Sequence, residues 1–284
     1  MKKEEETKVP LLLFSGGLDS SYMLQMYLER GNVETLYVKG LIHEDKIAKE
    51  LDARKKIIAA LQEKTGNYVL RDHIIDIGPI FGGGTADIGF AQPPMWIVGA
   101  LQVSDYNKHS ELAIGYVAGD QIACMIPYII NAWDNLQYFA KHGNIPVVFP
   151  LKVTRKVDIL EAILPQIVQH IWVCEMPEWW RDGKMIYIPD GLGGKLKPCG
   201  KCPACITMVG TLHMYKQKHD VPYSHHFLWK LRDQQRERGH ELTYATEGER
   251  NEDQTIHPSS SGVLYASSSG VLYAPTYSIR DEGR

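Results

Sequence analysis

The chain has 284 residues, 44% hydrophobic and 23% charged, a composition typical of a soluble globular protein. Its 31 basic and 34 acidic side chains give a formal net charge of −3, which argues against extensive nucleic-acid binding, since that requires a basic excess. No stretch approaches the roughly 20 apolar residues that span a bilayer, and the charged residues 1–8 do not resemble a signal peptide, so the sequence predicts a cytoplasmic protein.

Short apolar runs alternate with helical patterns through the first 170 residues or so. The runs that predict buried strands are Val9–Phe14, Glu34–Lys39, Ile74–Ile77, Leu112–Val117 and Pro146–Phe149. The segments with apolar residues at spacings of three and four, which predict amphipathic helices, are Leu18–Arg30, Glu44–Thr65, Met95–His109, Ile122–His142 and Lys156–His170. This alternation predicts an α/β fold, a doubly wound, Rossmann-like parallel sheet with helices on both faces.

The composition changes after Cys174. A stretch rich in Trp, Gly, Pro and charge follows, with one strand-like run at Met185–Ile188 that suggests a hairpin. A helix is predicted from Pro203 to Lys218. We therefore expect a second segment, 174–235, that carries the cysteines described below and the C-terminal helices, after a first domain at 1–173.

The remaining residues, 236–284, are polar and aperiodic and contain a perfect tandem octapeptide, SSSGVLYA, at Ser259–Ala266 and Ser267–Ala274. Two copies are too few for a solenoid. The segment is predicted to be a weakly structured tail, and the alternative is that each Val-Leu-Tyr triplet pairs with an exposed sheet edge.

A glycine-rich loop joins the first predicted strand to the first predicted helix. It consists of Ser15, Gly16, Gly17, Leu18, Asp19, Ser20 and Ser21. Glycines permit close approach of a ligand to the backbone, and the amides at a helix start bind phosphate. Asp19 could help to hold Mg²⁺. The alternative is an ordinary strand–turn–helix junction in which Asp19 and Ser20 only cap the helix. A Walker-type loop is excluded because no Gly-Lys-Ser/Thr is present.

Three cysteines lie within seven residues, at Cys199, Cys202 and Cys205, with Cys174 upstream. Tight Cys-x-x-Cys turns bring sulfurs to one centre, and a fourth cysteine completes a tetrahedral zinc site. The alternatives are an iron–sulfur cluster and free buried cysteines. Cys124 stands alone on a helical pattern and is predicted to be a core residue.

The Ser-Gly-Gly-x-Asp-Ser string resembles the pyrophosphate-binding loop of the N-type ATP pyrophosphatases. Members of that family bind ATP, adenylate a carboxylate or carbonyl oxygen, and release pyrophosphate before a nucleophile displaces AMP. Within it, the C-terminal Cys-Gly-x-Cys-x-x-Cys after a single upstream cysteine resembles 7-cyano-7-deazaguanine synthase. The resemblance covers roughly Val9–His219 and leaves out the tail.

Two further segments carry the resemblance to that synthase. Pro150–Ile159 is similar to its Pro-Leu-x-x-x-x-Lys-x-Glu-Ile segment, which implies a phosphate-facing Lys156. Lys156 is predicted to be catalytic together with Asp19 and Ser20 of the glycine-rich loop. Ile114–Asp120 is similar to its strand ending in Gly-x-x-x-x-Asp, which implies that Asp120 contacts substrate or Mg²⁺. For Lys156 the alternative is a solvated side chain. For Asp120 the alternative is that it only caps the next helix.

Three segments depart from the family pattern. The family's Gln/His-rich sequence is missing from residues 37–43, and its Pro-Gly-Arg-Asn sequence is missing from residues 92–96. The Asp-Cys-Arg-Pro sequence is missing from residues 123–127. The polar groups that would read the substrate are therefore partly missing, which weakens the substrate assignment more than the reaction assignment.

The resemblance implies an ATP-dependent ligase that aminates a 7-carboxy-7-deazaguanine-like acid with ammonia, uses Mg²⁺, contains Zn²⁺ and forms a homodimer. Two alternatives stay open. One is a diverged ATPase that adenylates a tRNA base or a protein carboxylate, and the other is a non-catalytic nucleotide-binding scaffold.

Overall fold

Five parallel strands form the central sheet of the computed structural model, which describes residues 7–40, 44–77, 92–140, 143–181, 184–186 and 195–219. The strands are β1 (Val9–Leu13), β2 (Val33–Lys39), β3 (Val69–Asp76), β4 (His109–Ala113) and β5 (Val147–Val148). They are arranged in the order β3-β2-β1-β4-β5. The chain therefore crosses over between β3 and β4, which places a topological switch point beside β1. The predicted doubly wound α/β fold is confirmed.

Helices cover both faces of this sheet. They are α1 (Leu18–Leu28), α2 (Glu44–Thr65), α3 (Gln92–Val103), α4 (Ile126–Ala140), α5 (Lys156–Ala162), α6 (Pro165–Val168) and α7 (Pro203–His219). Successive β1 side chains point to opposite faces: Leu12 packs in the core that contains α1, α2 and α5–α7, and Leu11 packs in the core that contains α3 and α4. Among the helices of the described ranges, none has the length and apolar character needed to cross a membrane.

A second, small sheet follows the main one. Its strands β6 (Glu178–Arg181), β7 (Lys184–Ile186) and β8 (Lys195–Lys197) pair antiparallel in the order β7-β6-β8. The Trp179 indole N–H donates a hydrogen bond of 2.8 Å to the carboxylate of Asp45 in the first turn of α2. The small sheet thus contacts a helix of the main domain. The predicted boundary at residue 173 stays a prediction, and the octapeptide repeat lies outside the described residues.

Helix α3 is shorter than predicted. The pattern predicted a helix over Met95–His109, but the helix ends at Val103 and His109 begins β4. The Asp105 carboxylate accepts the backbone N–H of Asn107 at 2.9 Å, and this side-chain turn stops the helix. The prediction rested on the spacing of apolar residues, which carries no information about a local hydrogen bond of this kind.

The helix predicted over Lys156–His170 is split in two. Leu164 is extended, with ψ of 128°, because the residue before a proline avoids the helical region. Pro165 then occupies the first position of α6, where its missing N–H costs nothing.

The helix predicted over Ile122–His142 starts with a 3-10 turn at Gln121–Met125 before α4 begins. Cys124 lies in this turn and is exposed, so its prediction as a core residue is wrong. A 3-10 turn has three residues per turn instead of 3.6, and the face assigned from an α-helical spacing is therefore shifted.

A buried cluster of one carboxylate and two imidazoles joins β2, β3 and the start of β4. Glu34 Oε2 lies 2.6 Å from His73 Nε2 and 3.2 Å from His109 Nε2. The backbone N–H of Asp105 donates to His109 Nδ1 at 2.9 Å, so the ring proton of neutral His109 is on Nε2 and points at Glu34. With that nitrogen protonated, the cluster is a hydrogen-bonded clamp rather than a metal site.

Replacing Glu34 with Gln is expected to destabilise the protein by about 1–3 kcal/mol at pH 7, the cost of hydrogen bonds lost at a buried charged group. Burial alone would raise the pKa of Glu34, but the hydrogen bonds from His73 and His109 lower it below its ordinary value of 4.5. The stabilisation is therefore present above pH 4.5 and is lost as the pH falls through the lowered pKa.

Urea unfolding at a series of pH values measures this difference. Glu63→Gln, an exposed position on α2, is the matched control and should follow the native protein. An equal stability loss for Glu34→Gln at pH 7 and well below pH 4.5 would contradict the clamp.

Candidate active site

The segment Ser15–Ser21, called here the phosphate loop, follows β1 at the carboxyl edge of the sheet and includes the first turn of α1. Gly16 has φ of +82°, a conformation that favours glycine, and a Cβ added there would lie 3.3 Å from atoms of Arg54. Gly17 is the N-cap of α1, and no side chain caps the helix. The amides of the first turn are thus left for a ligand, which is the arrangement that binds phosphate.

Hydrogen bonds between serines hold the loop in this shape. The Ser15 and Ser20 hydroxyl oxygens lie 3.1 Å apart, and the backbone N–H of Ser15 donates to Ser20 Oγ at 3.2 Å. The N–H of Gly17 donates to Ser15 Oγ at 3.3 Å. Ser21, by contrast, is fully buried, and its hydroxyl has no hydrogen-bond partner among the described residues.

Lys156 joins two aspartates that come from different strands. Its Nζ lies 3.0 Å from Asp19 Oδ2 and 3.2 Å from Asp120 Oδ1. Asp19 follows β1, Asp120 follows β4 and Lys156 follows β5, so parallel pairing brings the three to one edge of the sheet. Three residues predicted separately from the sequence are therefore in direct contact.

Burial and the contacts within this triad shift the pKa values of Asp19 and Lys156. Burial raises the pKa of Asp19, although Lys156 works in the opposite direction. Burial disfavours the charge on Lys156, but the two carboxylates outweigh it and raise the pKa of Lys156. Asp19 Oδ1 is buried and lacks a hydrogen-bond partner in the described part of the chain, so it has capacity for a ligand.

The end of β4 brings Asp120 close to the phosphate loop. Gly115, which follows β4, packs against the phosphate loop: a Cβ added there would lie at an ordinary contact distance, 3.5 Å, from backbone atoms of Ser20. The side chain of Asp120 accepts the backbone N–H of Val117 at 3.2 Å and does not cap the following 3-10 turn. Its second oxygen faces Lys156.

The four predicted cysteines come together in one buried group. The sulfurs of Cys174, Cys199, Cys202 and Cys205 lie within 4.8 Å of one another, and each residue is at most 3% exposed. Backbone N–H groups of Cys199 and Cys202 donate to sulfurs at 3.2 and 3.3 Å. Four clustered sulfurs with amide donors are a donor set that fits a metal ion.

A short segment at Trp172 connects the cysteine group to the phosphate loop. The backbone N–H of Trp172 donates to the carbonyl of Gly16 at 3.0 Å, and its indole N–H donates to the carbonyl of Cys174 at 2.9 Å. Side chains of α7 pack in the same core as β1. A metal bound at the cysteines would therefore fix one side of the phosphate loop.

A cavity of about 480 Å³ opens between these elements. Five phosphate-loop residues line it together with Asp120 and Lys156, whereas Gly16 and Ser21 do not. The other lining residues, which were not selected from the sequence, include Tyr37, Lys46, Glu50 and Trp96. Lys46 and Glu50 are four residues apart on α2, a spacing that is usual for exposed ion pairs, and only the burial reveals their position.

Two aromatic side chains that line the cavity, Trp96 and Tyr116, are neighbours and are called here the aromatic wall. Trp96 and Tyr116 have ring centroids 5.6 Å apart, and Tyr116 stacks on Phe149 at 6.0 Å. Burial raises the pKa of Tyr116, whose hydroxyl is buried without a partner in the described ranges. Such a wall is suited to a flat ligand.

Comparisons with known proteins give only a distant likeness. None of the protein-family models searched matches the chain. No curated protein sequence matches it either. Among solved structures, the chain is similar to the U34-tRNA thiolase NcsA from Methanococcus maripaludis with its [4Fe-4S] cluster, at 16% identity and a TM-score of 0.35 over 83% of this chain and 74% of that chain. A likeness this weak carries no information about activity.

Proposed function

We propose that the protein is an ATP-dependent ligase of the 7-cyano-7-deazaguanine synthase type, which adenylates a deazapurine carboxylate and aminates it with ammonia. The observation that carries the proposal is the contact of Lys156 with Asp19 and Asp120 beside an uncapped helix start. A lysine in the first turn of a helix gains nothing from the helix dipole. The two aspartates hold its ammonium at the phosphate loop, where it can also contact an anionic ligand such as the phosphates of ATP.

The first chemical step is transfer of AMP. A carboxylate oxygen attacks the α-phosphorus, the bond to the bridging oxygen breaks, and pyrophosphate leaves with the bonding electrons. The phosphate-loop amides and the Ser15 and Ser20 hydroxyls donate to the phosphate oxygens, and Lys156 stabilises the charge that grows on the leaving group. Asp19 and Asp120 would hold Mg²⁺, which neutralises phosphate charge when bound.

The second step consumes ammonia. Its nitrogen attacks the acyl carbon, AMP leaves, and loss of one proton to solvent gives the amide. A second ATP then activates the amide oxygen, and departure of AMP with two protons lost gives the nitrile. Adenylation is needed at each stage because a carboxylate or amide oxygen is otherwise a poor leaving group.

Zinc is the metal we propose for the cysteine group. Four sulfurs around one zinc at about 2.3 Å lie roughly 3.8 Å apart, which agrees with the close approach of these sulfurs. A four-iron cluster would place a cage of several atoms between the cysteines and separate their sulfurs further. With four thiolate ligands the ion has no open position, so its role would be structural.

Incubation of the protein with ATP, Mg²⁺, ammonium and 7-carboxy-7-deazaguanine tests the proposal. We expect AMP and pyrophosphate in amounts that depend on the acid, and a product whose mass corresponds to the amide or nitrile. A parallel panel of purine carboxylates tests the substrate. Formation of ADP and phosphate would overturn the proposed reaction. Acid-dependent formation of AMP with another carboxylate only would overturn the proposed substrate.

A further inference from the structure

Within the described ranges, six residues with charged side chains border the cavity. Five of them belong to the ion pair on α2 and to the Lys156 triad, so their charges are matched inside the protein. The sixth is Glu175, which is half-buried and whose carboxylate has no hydrogen bond or ion pair with any residue that the structure describes. Glu175 therefore brings an unmatched negative charge to the cavity.

The cysteine group fixes the backbone at Glu175. The backbone N–H of Glu175 donates to Cys202 Sγ, and the preceding residue, Cys174, belongs to the cysteine group itself. The carbonyl of Cys174 accepts the indole N–H of Trp172 at 2.9 Å. A side chain on a backbone held in this way is pre-positioned, which lowers the entropy cost of binding a ligand.

A second acceptor lies close by, between Glu175 and the phosphate loop. The carbonyl oxygen of Trp172 would lie 3.6 Å from a Cβ added to Gly17, so it faces the start of α1. No backbone N–H in the described part of the chain donates to it. Trp172 borders the cavity as Glu175 does. A carbonyl and a carboxylate only accept hydrogen bonds, so this end of the cavity suits a ligand rich in donors.

The charge of Glu175 is unfavourable for two of the three substrates in the proposed reaction. ATP and the acceptor acid are both anions, and an unpaired carboxylate repels them. The third substrate is ammonium, which is a cation with four N–H donors and no acceptor. It is the substrate that matches the charge of Glu175 and the hydrogen-bonding capacity of both acceptors.

We propose that Glu175 binds the ammonium ion that supplies the nitrogen, with the Trp172 carbonyl as a second acceptor. The inference rests on the proposed function, since it places that reaction's third substrate in the same cavity. Ammonium loses one proton to water before its nitrogen attacks the acyl carbon, and a second proton afterwards. The products are the amide, AMP and two protons. Glu175 attracts and orients the cation and takes no proton from it.

Steady-state kinetics at varied ammonium, with ATP and the acid saturating, tests this assignment. Glu175→Gln keeps the size of the side chain and removes its charge, so the KM for ammonium should rise about 10-fold or more, as the loss of a charge-assisted hydrogen bond implies. Glu175→Asp keeps the charge and should give an intermediate KM. Glu63→Gln, an exposed position on α2, is the control. An unchanged KM for ammonium in Glu175→Gln, or an equal rise in the KM for ATP, would overturn the inference.

The pH dependence shows which species binds. Below the pKa of ammonium, free ammonia increases about 10-fold per pH unit, whereas the concentration of the cation hardly changes. The native KM, expressed as total ammonium, should therefore stay nearly constant between pH 7 and pH 8. In Glu175→Gln, which can use only neutral ammonia, it should fall about 10-fold over the same interval. A native KM that falls in this way would show that neutral ammonia binds, and would overturn the inference. A purely structural role of Glu175 would not alter this dependence.

Thermal unfolding tests the site without the reaction. With Mg²⁺ and a non-hydrolysable ATP analogue present, ammonium chloride should raise the Tm of the native protein more than equal concentrations of sodium chloride or tetramethylammonium chloride do. Glu175→Gln should lose this difference but keep the native Tm in sodium chloride, because its backbone N–H still donates to Cys202. A native protein without an ammonium-specific rise in Tm would overturn the inference.

The two proposals fail separately. An ammonium-specific Tm increase that depends on Glu175, with no AMP formed from any carboxylate, would sustain the ammonium site and remove the proposed function. Acid-dependent AMP formation with the same ammonium KM in the native protein and in Glu175→Gln would do the reverse.

Discussion

Replacing Lys156 with alanine is expected to lower the kcat of ATP-dependent pyrophosphate release by roughly 10²–10³-fold and to change the KM for ATP by less than about threefold. The reason is the stage of the reaction at which negative charge develops on the leaving group. The phosphates of bound ATP are already charged in the ground state, but charge on the bridging oxygen grows only as AMP is transferred, so the ammonium is worth more in the transition state. Steady-state kinetics with a coupled pyrophosphate assay measures both constants.

Lys152→Ala is the matched control, because Lys152 is an exposed lysine just before α5. It should keep native kinetics. Thermal unfolding of Lys156→Ala also has to be recorded, since the variant leaves Asp19 and Asp120 without their shared cation. An effect confined to KM would make Lys156 a binding residue only, and native kinetics would return it to an ordinary helix lysine.

Removal of the metal is the second large effect that we expect. The native protein should contain one zinc per chain, and Cys202→Ser or chelation should remove it and lower the Tm by about 10 °C or more, because metal-binding free energy is folding free energy in such sites. Affinity for ATP should fall together with zinc content, since Trp172 ties the cysteine group to the phosphate loop.

Elemental analysis and thermal unfolding of the same samples check this prediction. Cys124→Ser is the control, because Cys124 is exposed and lies on a different element. It should keep its zinc and its Tm. Iron in the native protein with visible absorption, or a metal-free protein of unchanged Tm, would contradict the zinc assignment.

The sequence predicted the fold class because the positions of the strands and helices follow from strong local signals, whereas the order of the strands in the sheet was not predicted. The apolar run that contains Leu11 and Leu12 is continuous because both faces of β1 are buried, and a glycine-rich turn follows it directly. The start of β3 was predicted wrongly: the strand begins at Val69 and not at Ile74, because it is an edge strand and Arg71 and Asp72 interrupt its apolar pattern.

The candidate site was predictable where its residues belong to a local pattern or to a segment that resembles the family, as Asp120 and Lys156 do. The phosphate loop and the cysteine spacing are local patterns, and the structure places their members together. Lys46 and Glu50 carry no such signal, because a lysine and a glutamate four apart on a polar helix are ordinary surface residues. Their burial depends on the small sheet and on the end of β2, which no local pattern encodes.

The hydrogen bond from Trp172 to Gly16 also decides how the protein could be divided or rebuilt. A fragment that stops after β5 would keep every strand of the main sheet but would lose the donor to the Gly16 carbonyl. A graft of the phosphate loop onto another protein would therefore have to carry the chain through Trp172, and through Cys205 to keep the whole cysteine group that adjoins Trp172. The smallest portable unit is defined by the cysteines and not by the sheet.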